Sequence, residues 1–190
     1  MNPFAIAGGA VLLLGLAVII SYNRFVRQRN LVEESWRQVD VELRRRYDLI
    51  PNLVETVKGY AAHERATFEA VTQARAIAQA HGGTRADQGR DETELTRSLR
   101  GLLAVAEAYP ALKADQHFRQ LQSQLAETED RIAAGRRFYN ANVRAYNTRI
   151  DAFPSSLIAG MFGFEKAEYF EVEEAAARAA VPVQMDGPTA

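Results

Sequence analysis

The chain has 190 residues, a formal net charge of −1 and no cysteine. This length fits one compact domain with short additions. The near-neutral charge argues against a general nucleic-acid-binding protein, which usually carries a clear basic excess. Without cysteine, the chain as given has no disulfides, thiolate metal sites, thiol nucleophiles or lipidated N-terminal cysteine.

The first hydrophobic segment, residues 4–20, contains no charged residue. As a helix it would extend about 26 Å, and Ser21 and Tyr22 lengthen it towards the roughly 30 Å hydrocarbon core of a bilayer. No Lys or Arg precedes the segment and no A-x-A-like cleavage site follows it. An uncleaved transmembrane anchor over residues 1–22 is therefore predicted, rather than a cleaved signal peptide.

The flanking residues predict how the anchor is oriented. Arg24, Arg27 and Arg29 follow the hydrophobic segment, and the positive-inside bias then places the rest of the chain in the cytoplasm. Within the segment, Ala5 and Gly9 form a small-xxx-small pair, which favours self-association of membrane helices.

A long amphipathic segment runs from Trp36 to Ala80. Its apolar residues recur every three or four positions, as on one face of an α-helix: Val39, Leu43, Tyr47, Ile50, Val54, Val57, Ala61, Phe68, Val71 and Ala78. Pro51 either turns the chain or kinks a continuous helix. No glycine stands beside it, and the apolar positions keep their phase across it, so one long kinked helix is predicted.

Two further helices are predicted after this one. Residues 81–91 are polar and glycine-rich and predict a loop. A second helix then ends at Tyr109–Pro110, because the residue before proline avoids the helical conformation. The last long helix is predicted from Leu112 to Ala152. Its apolar seam includes Phe118, Leu121, Leu125, Ile132, Tyr139, Val143 and Tyr146, and Gly135 on the same seam would let two backbones approach closely.

An apolar cluster follows Pro154 and is too short to span a bilayer. Its members are Leu157, Ile158, Met161, Phe162 and Phe164. The cluster either caps one end of the helical bundle or contacts a partner or a membrane surface. The acidic, alanine-rich residues 174–190 are predicted to form a disordered tail.

Catalytic and metal-binding motifs are weak in this sequence. His63–Glu64 begins like the zinc motif H-E-x-x-H, but Thr67 stands where the second histidine is needed. The sequence contains neither a glycine-rich phosphate loop nor G-x-S-x-G. We therefore interpret the chain as non-enzymatic, with no catalytic residue, cofactor or metal site.

Charged residues near the apolar seams are more informative. A buried Glu or Arg is costly unless it is paired, so we hypothesise that Glu64 pairs with Arg136 or Arg137. The alternative is a polar pocket near Glu64, Arg136 and Asn140 that serves a membrane-bound sensor or enzyme. The run 44–46 (RRR) is interpreted as a solvated face, and the asparagines of the last helix are expected to bond across helices.

Several motifs in order resemble the LemA family of bacterial proteins. They read WRQVDVELRRRYDLIPNLVETVKGYAAHE from Trp36, then AVAEAYPALKA, TEDRIAAGRRFYNANVRAYN, FP, AGMFGF and YFE. The resemblance covers about residues 20–173. It implies an N-terminal membrane anchor, a helical domain with a long helix, and no established activity. Family genes often neighbour genes for TPM-domain proteins, which implies a protein partner of that kind.

The predicted fold is all-α: a transmembrane helix leads into an elongated antiparallel helical bundle with one long kinked helix. The predicted domains are an anchor at 1–22, a LemA-like helical domain at 23–173 and a disordered tail at 174–190. The predicted function is a scaffold or adaptor, single-pass in the bacterial cytoplasmic membrane with its N-terminus outside. Its predicted contacts are lipid through the N-terminal helix, protein partners and a second copy of the chain, but no nucleic acid.

Overall fold

The structure, a computed structural model, describes residues 3–172. Within this range the chain forms six helices: α1 (Pro3–Lys58), α2 (Arg65–Gln79), α3 (Arg85–Glu107), α4 (Pro110–Ala114), α5 (Gln116–Asp151) and α6 (Ser155–Phe162). No strand occurs in this range, so the all-α prediction is confirmed. The predicted tail at 174–190 lies outside the described residues.

Helix α1 is 56 residues long and passes through Pro51 without ending. At about 1.5 Å per residue it is roughly 84 Å long. Proline removes one backbone N–H and crowds the preceding turn, but Pro51 lies on the exposed side of the helix. The carbonyl of Tyr47, four residues before Pro51, accepts instead from Nε of Arg75 on α2 at 2.6 Å. The prediction that the helix continues across Pro51 is therefore confirmed.

The prediction that the same helix continues to Ala80 is wrong. Helix α1 ends at Lys58, and a turn over residues 59–64 reverses the chain into α2. Hydrogen bonds from the backbone N–H of Tyr60 and Ala61 to the carbonyl of Val57 close this turn. The apolar spacing persists because Ala61 is buried in the turn and α2 turns its own apolar face towards the same core.

Helices α1, α2, α3 and α5 form an antiparallel four-helix bundle. From Phe25 towards Lys58, α1 meets successively earlier parts of α5: Phe25 contacts Tyr146 and, at the other end, the Tyr60 hydroxyl donates to Asp115. Helix α2 returns along α1, since the Tyr47 hydroxyl oxygen lies 3.3 Å from the carbonyl oxygen of Ala78. Helix α3 then runs parallel to α1. The turn at 59–64 therefore divides the predicted long helix into α1 and α2 and gives the bundle four helices.

The apolar seam predicted for α5 is buried as expected. Its buried residues include Phe118, Leu121, Leu125, Ile132, Tyr139, Val143 and Tyr146. A Cβ added at Gly135 would lie 3.1 Å from Cγ2 and 3.9 Å from Cα of Val39. This glycine therefore permits the close approach of α5 to α1 that the sequence predicted.

Helix α3 begins earlier than predicted, so the predicted loop at 81–91 is too long. Thr84 caps the helix: its hydroxyl accepts from the backbone N–H of Asp87, and the Asp87 carboxylate accepts from the backbone N–H of Thr84. This reciprocal capping starts the helix at Arg85. Gly89, which suggested a loop, lies inside the helix and is buried.

A buried ionic cluster lies in the middle of the bundle, where the sequence predicted a solvated arginine run. The Arg46 side chain is 2% exposed; it pairs with Glu92 of α3, and its Nη1 lies 2.8 Å from Oε1 of Glu129 on α5. The Tyr47 hydroxyl donates to Glu92. Burial raises the pKa of Tyr47, so its hydroxyl keeps the proton it donates. We call Arg46, Tyr47, Glu92 and Glu129 the Arg46 cluster. It links three of the four helices.

Replacing Arg46 tests how much the bundle depends on this cluster. We expect Arg46→Met to lower the free energy of unfolding by about 3–5 kcal/mol, because it leaves Glu92 buried without its cation. Arg44→Met is the matched control: Arg44 is 74% exposed and pairs with Asp40, and such pairs contribute about 0–1 kcal/mol. Urea unfolding followed by circular dichroism in detergent measures both. Equal losses in the two variants would contradict a stabilising role for the cluster.

Candidate functional site

Residues 164–172 form an extended segment that we call the C-terminal strap. It follows α6 and runs back along α5, where two asparagine side chains bind its backbone. The Asn140 amide donates to the Phe170 carbonyl and accepts from the Phe170 N–H, both at 3.0 Å. Asn147 makes the same pair of bonds with Ala167, both at 2.9 Å. The prediction that the asparagines bond across helices is therefore wrong: Asn140 and Asn147 bind the strap, and Nδ2 of Asn142 is buried without a partner within residues 3–172.

The spacing of these two contacts explains why the pairing works. Asn140 and Asn147 are seven residues apart, which is about two helical turns and about 10.5 Å along α5. Ala167 and Phe170 are three residues apart, about 10 Å in an extended chain. The spacing of the two asparagines along α5 therefore matches the spacing of their partners along the strap. An asparagine amide offers both a donor and an acceptor, so each asparagine bonds both the backbone N–H and the carbonyl of one strap residue.

An aromatic and cationic cluster holds the strap at Phe170, which is fully buried. The Trp36 ring lies 5.1 Å from the Phe170 ring and 5.4 Å from the Tyr139 ring, centroid to centroid. The Arg85 guanidinium lies 5.1 Å from the Trp36 centroid, within the range of a cation–π contact. Glu33 pairs with Arg85 at 2.6 Å and keeps it in place.

The Tyr139 hydroxyl ties this cluster to the strap backbone. It donates to the carbonyl of Glu168 at 2.7 Å and accepts from Nη1 of Arg85 at 3.3 Å. Burial raises the pKa of Tyr139, so the hydroxyl remains a donor at neutral pH. Tyr139 and Asn140, which are adjacent in the sequence motif, thus both bind the strap backbone.

Gly89 lets the strap lie against α3. A Cβ built on Gly89 would stand 2.2 Å from the carbonyl oxygen of Glu171, far inside van der Waals contact. Farther along, Nη1 of Arg136 donates to the carbonyl of Val172 at 2.9 Å. The strap therefore contacts α1, α3 and α5, and Arg136 and Asn140 both serve to bind it.

The structure does not bring Glu64 to Arg136 or Asn140, so neither the predicted ion pair nor the predicted pocket forms. Glu64 precedes α2 in the turn beyond Lys58. Gly135, next to Arg136, packs on Val39, nineteen residues and about 28 Å before Lys58 on α1. Arg137 is exposed on α5. The cation that is buried and paired with carboxylates is Arg46.

A polar groove of about 630 Å³ lies beside the loop between α2 and α3. It is lined by Asp40, Arg44, His81 and Gln88, among others. His81 is largely buried; Nδ1 lies 2.8 Å from the Asp91 carboxylate and Nε2 lies 2.8 Å from the Thr84 carbonyl. Both ring nitrogens are therefore engaged in fixing the loop to α3.

An apolar groove lies nearer the N-terminal part of α1, between α1 and α6. We call it the α6 groove. Its volume is about 900 Å³, and its lining includes Leu14, Ala17 and Ser21 of α1, Arg149 of α5, and Leu157 and Met161 of α6. Helix α6 is held there through aromatic contacts: Phe164 stacks on Phe25 at 4.8 Å, and Phe162 lies 4.9 Å from Tyr22.

The apolar cluster of α6 divides between two environments. Ile158 and Phe164 pack against the core, as the predicted cap requires. Leu157, Met161 and Phe162 remain 62%, 71% and 47% exposed. A cap alone does not explain this outward face, which exposes large apolar side chains beside the apolar part of α1.

Sequence reasoning missed three features of these sites. Arg46 was hidden in a run of three arginines, although its buried neighbours Leu43, Tyr47 and Ile50 place it at the edge of the apolar face. Gly89 predicts a loop by its residue type, whereas it lies inside α3. The strap has no periodic pattern, and the seven-residue spacing of Asn140 and Asn147 was the signal that could have found it.

Replacing Gly89 tests whether the strap depends on this close contact. We expect Gly89→Ala to displace the strap and to speed hydrogen exchange at the Ala167 and Phe170 amides by about tenfold or more. The matched control is Gly101→Ala in the same helix, where an added Cβ meets nothing within 4 Å. That change should stabilise α3 by about 1 kcal/mol and leave strap exchange unchanged. Exchange at Ala167 and Phe170 that is unaffected by Gly89→Ala would contradict the strap contact.

Comparison with known proteins shows which protein family the sequence matches. The family model described as "LemA family" matches residues 35–185. The chain is 29% identical to Magnetosome protein MamQ 2 of Paramagnetospirillum magneticum, with 83% of this chain and 67% of that protein covered. It is 26% identical to Magnetosome protein MamQ of Magnetospirillum gryphiswaldense, with the same coverage. It is 24% identical to Protein LemA of Metamycoplasma hominis, with 80% and 69% covered.

Proposed function

The chain belongs to the LemA family, and from that premise we propose that it is a membrane-anchored helical scaffold that binds protein partners and catalyses no reaction. It is a single-pass protein of the bacterial cytoplasmic membrane. Its N-terminus lies outside and its bundle lies in the cytoplasm.

The observation that carries the proposal is a change of exposure along α1. Large apolar side chains of its first part are exposed: Val11, Leu12, Leu13 and Leu14 are each at least 67% exposed. From Phe25 onward the apolar side chains of one face are buried in the bundle. By length and composition α1 is the one helix within residues 3–172 that is suited to cross a membrane. The exposed part supports an anchor, because bilayer lipids would cover it.

The charges that follow the apolar part support the orientation. Arg24 and Arg27 are exposed directly beyond it, and Arg29 lies over the Phe164 ring at 5.8 Å. Basic residues next to a span favour the cytoplasmic side. Since α1 continues without a break into the bundle, the same orientation puts the bundle in the cytoplasm.

The use of the polar residues supports a scaffold over a sensor or enzyme. Arg136 and Asn140, two of the three residues of the alternative pocket, bind the backbone of the strap. Arg46 is paired inside the bundle. An elongated bundle with a high surface-to-core ratio suits lateral contacts with other proteins. The family resemblance suggests a TPM-domain protein as the partner, and the Ala5–Gly9 pair suggests a second copy of the chain.

Photo-crosslinking in native membranes tests the proposal. A photoreactive amino acid is placed at Val41 or Phe138, which are 62% and 49% exposed on the bundle, and at Leu12 in the apolar part. We expect discrete protein adducts from the bundle positions, identified by mass spectrometry as a TPM-domain protein or a second copy. Leu12 should give mainly lipid adducts. Monomer alone from both bundle positions would contradict a scaffold.

Orientation is checked in the same cells through the absence of native cysteine. A cysteine added at the C-terminus should resist a membrane-impermeant maleimide applied from outside, and it should react once the membrane is opened. Labelling in intact cells would show that the bundle lies outside and would overturn the cytoplasmic assignment.

A further inference from the structure

The α6 groove has an apolar end and a cationic end. Leu14 and Ala17 of α1 face Leu157 and Met161 of α6 across the apolar part. Arg24 of α1 and Arg149 of α5 line the other end. The change from apolar to cationic lining follows the axis of α1, so the apolar end lies within the proposed membrane span and the cationic end lies just beyond it.

The length of the groove matches half a bilayer. Leu14 and Arg24 are ten residues apart on a continuous helix, which is about 15 Å. The hydrocarbon core is roughly 30 Å thick, so the groove extends from the middle of the bilayer to the level of the headgroups. Tyr22, which lies near the cationic end, suits that level because its ring is apolar and its hydroxyl is polar.

The cationic end also holds an unsatisfied polar atom. Gln28 lines the groove, and its Oε1 is buried without a hydrogen-bond partner within residues 3–172. The Arg149 guanidinium lies 5.7 Å from the Phe25 ring centroid, which places the charge beside the aromatic contacts of α6. Two cations suit a lipid phosphate, and the free acceptor suits a hydroxyl donor on the headgroup attached to that phosphate.

We infer that the α6 groove binds one anionic phospholipid of the cytoplasmic leaflet and that α6 lies within that leaflet. The inference rests on the proposed membrane anchoring. The acyl chains lie between α1 and α6, the phosphate contacts Arg24 and Arg149, and a headgroup hydroxyl donates to Gln28. Phosphatidylglycerol has this chemistry.

The exposed face of α6 supports a lipid occupant over a second protein copy. Leu157 and Met161 are 62% and 71% exposed, and Phe153 just before the helix is 82% exposed. Leu157 and Met161 line the groove together with Leu14 and Ala17, which belong to the apolar part of α1. This apolar surface is therefore continuous with the proposed span, and the lipid that covers the span also covers α6. The short helix then holds the base of the bundle against the bilayer.

The depth of α6 in the bilayer is tested with single-cysteine variants of the full chain, which are spin-labelled and placed in phosphatidylglycerol-containing vesicles. Labels at Leu157→Cys and Met161→Cys should be more accessible to oxygen than to a water-soluble nickel chelate, like the label at Leu12→Cys. His63→Cys, in the turn at the far end of the bundle, should show the opposite preference.

The pattern separates failure of the inference from failure of the anchor. If Leu12→Cys is buried in lipid while both α6 labels resemble His63→Cys, the inference is overturned and the anchor stands. If Leu12→Cys is itself accessible from water, the anchor is wrong and the inference falls with it.

Lipid selectivity is tested by native mass spectrometry of the full chain with phosphatidylglycerol or phosphatidylcholine added. We expect preferential retention of one phosphatidylglycerol. The Arg24→Gln/Arg149→Gln double variant should lower that retention by at least about fivefold, since each basic side chain near a headgroup contributes measurably. The Arg24→Lys/Arg149→Lys variant should preserve it. The matched control is Arg119→Gln/Arg137→Gln, which removes two exposed charges of α5 away from the groove.

Equal retention of the two lipids would overturn the inference, as would a lipid-free dimer. Equal effects of the groove variant and the α5 control would do the same. Circular dichroism of each variant shows whether the fold is kept, and the lysine variant supplies the test if the glutamine variant fails to fold.

Discussion

The backbone of α1 is helical without a break from Pro3 to Lys58, and every other feature of the structure is placed relative to this helix. A continuous helix transmits position along its axis, because each turn is fixed to the next by hydrogen bonds. Tyr22 contacts α6, Trp36 contacts the strap, and Arg46 contacts α3 and α5. The distance of each contact from the proposed span is therefore set by its residue number, and α1 continues from that span into the bundle as one helix.

Polar side chains specify how the remaining segments meet α1. Apolar stripes can slide past one another at small cost, whereas a buried charge or amide is stable only in the register that pairs it. Arg46 selects one alignment of α1, α3 and α5 through Glu92 and Glu129. Asn140 and Asn147 select one position of the strap. In the sequence Arg46 is interpreted as solvated and Asn140 belongs to the alternative polar pocket, but in the structure both set geometry.

The sequence was sufficient for the helices whose apolar spacing is long and regular. The seam of α5, the passage of α1 through Pro51 and the close contact at Gly135 follow from periodicity and side-chain size. The turn at 59–64 was missed because the apolar residues of α2 continue the three- and four-residue spacing of α1 after the chain reverses. This spacing alone does not distinguish a helical hairpin from one continuous helix. Gly59 was the available signal.

The tertiary polar contacts were harder to predict, because they join residues far apart in sequence. Arg46 and Glu92 are 46 positions apart, and although its spacing places Arg46 at the edge of the apolar face, nothing local identifies its partner. The strap lacks periodicity, and its bonds go to side chains 20 to 36 residues earlier. In contrast, the outward apolar residues of α6 were visible in the sequence, and the structure added that they lie beside the apolar part of α1.

The distance between spin labels at Leu12→Cys and Asn30→Cys tests the continuity of α1 most directly. Both positions are exposed, and they are eighteen residues apart, so they lie on the same side of the helix after five turns. In membrane-embedded full-length protein, the account predicts one narrow distance distribution centred at about 27 Å. A broad distribution, or one centred well below that distance, would show that the helix breaks at the membrane surface and would contradict the account.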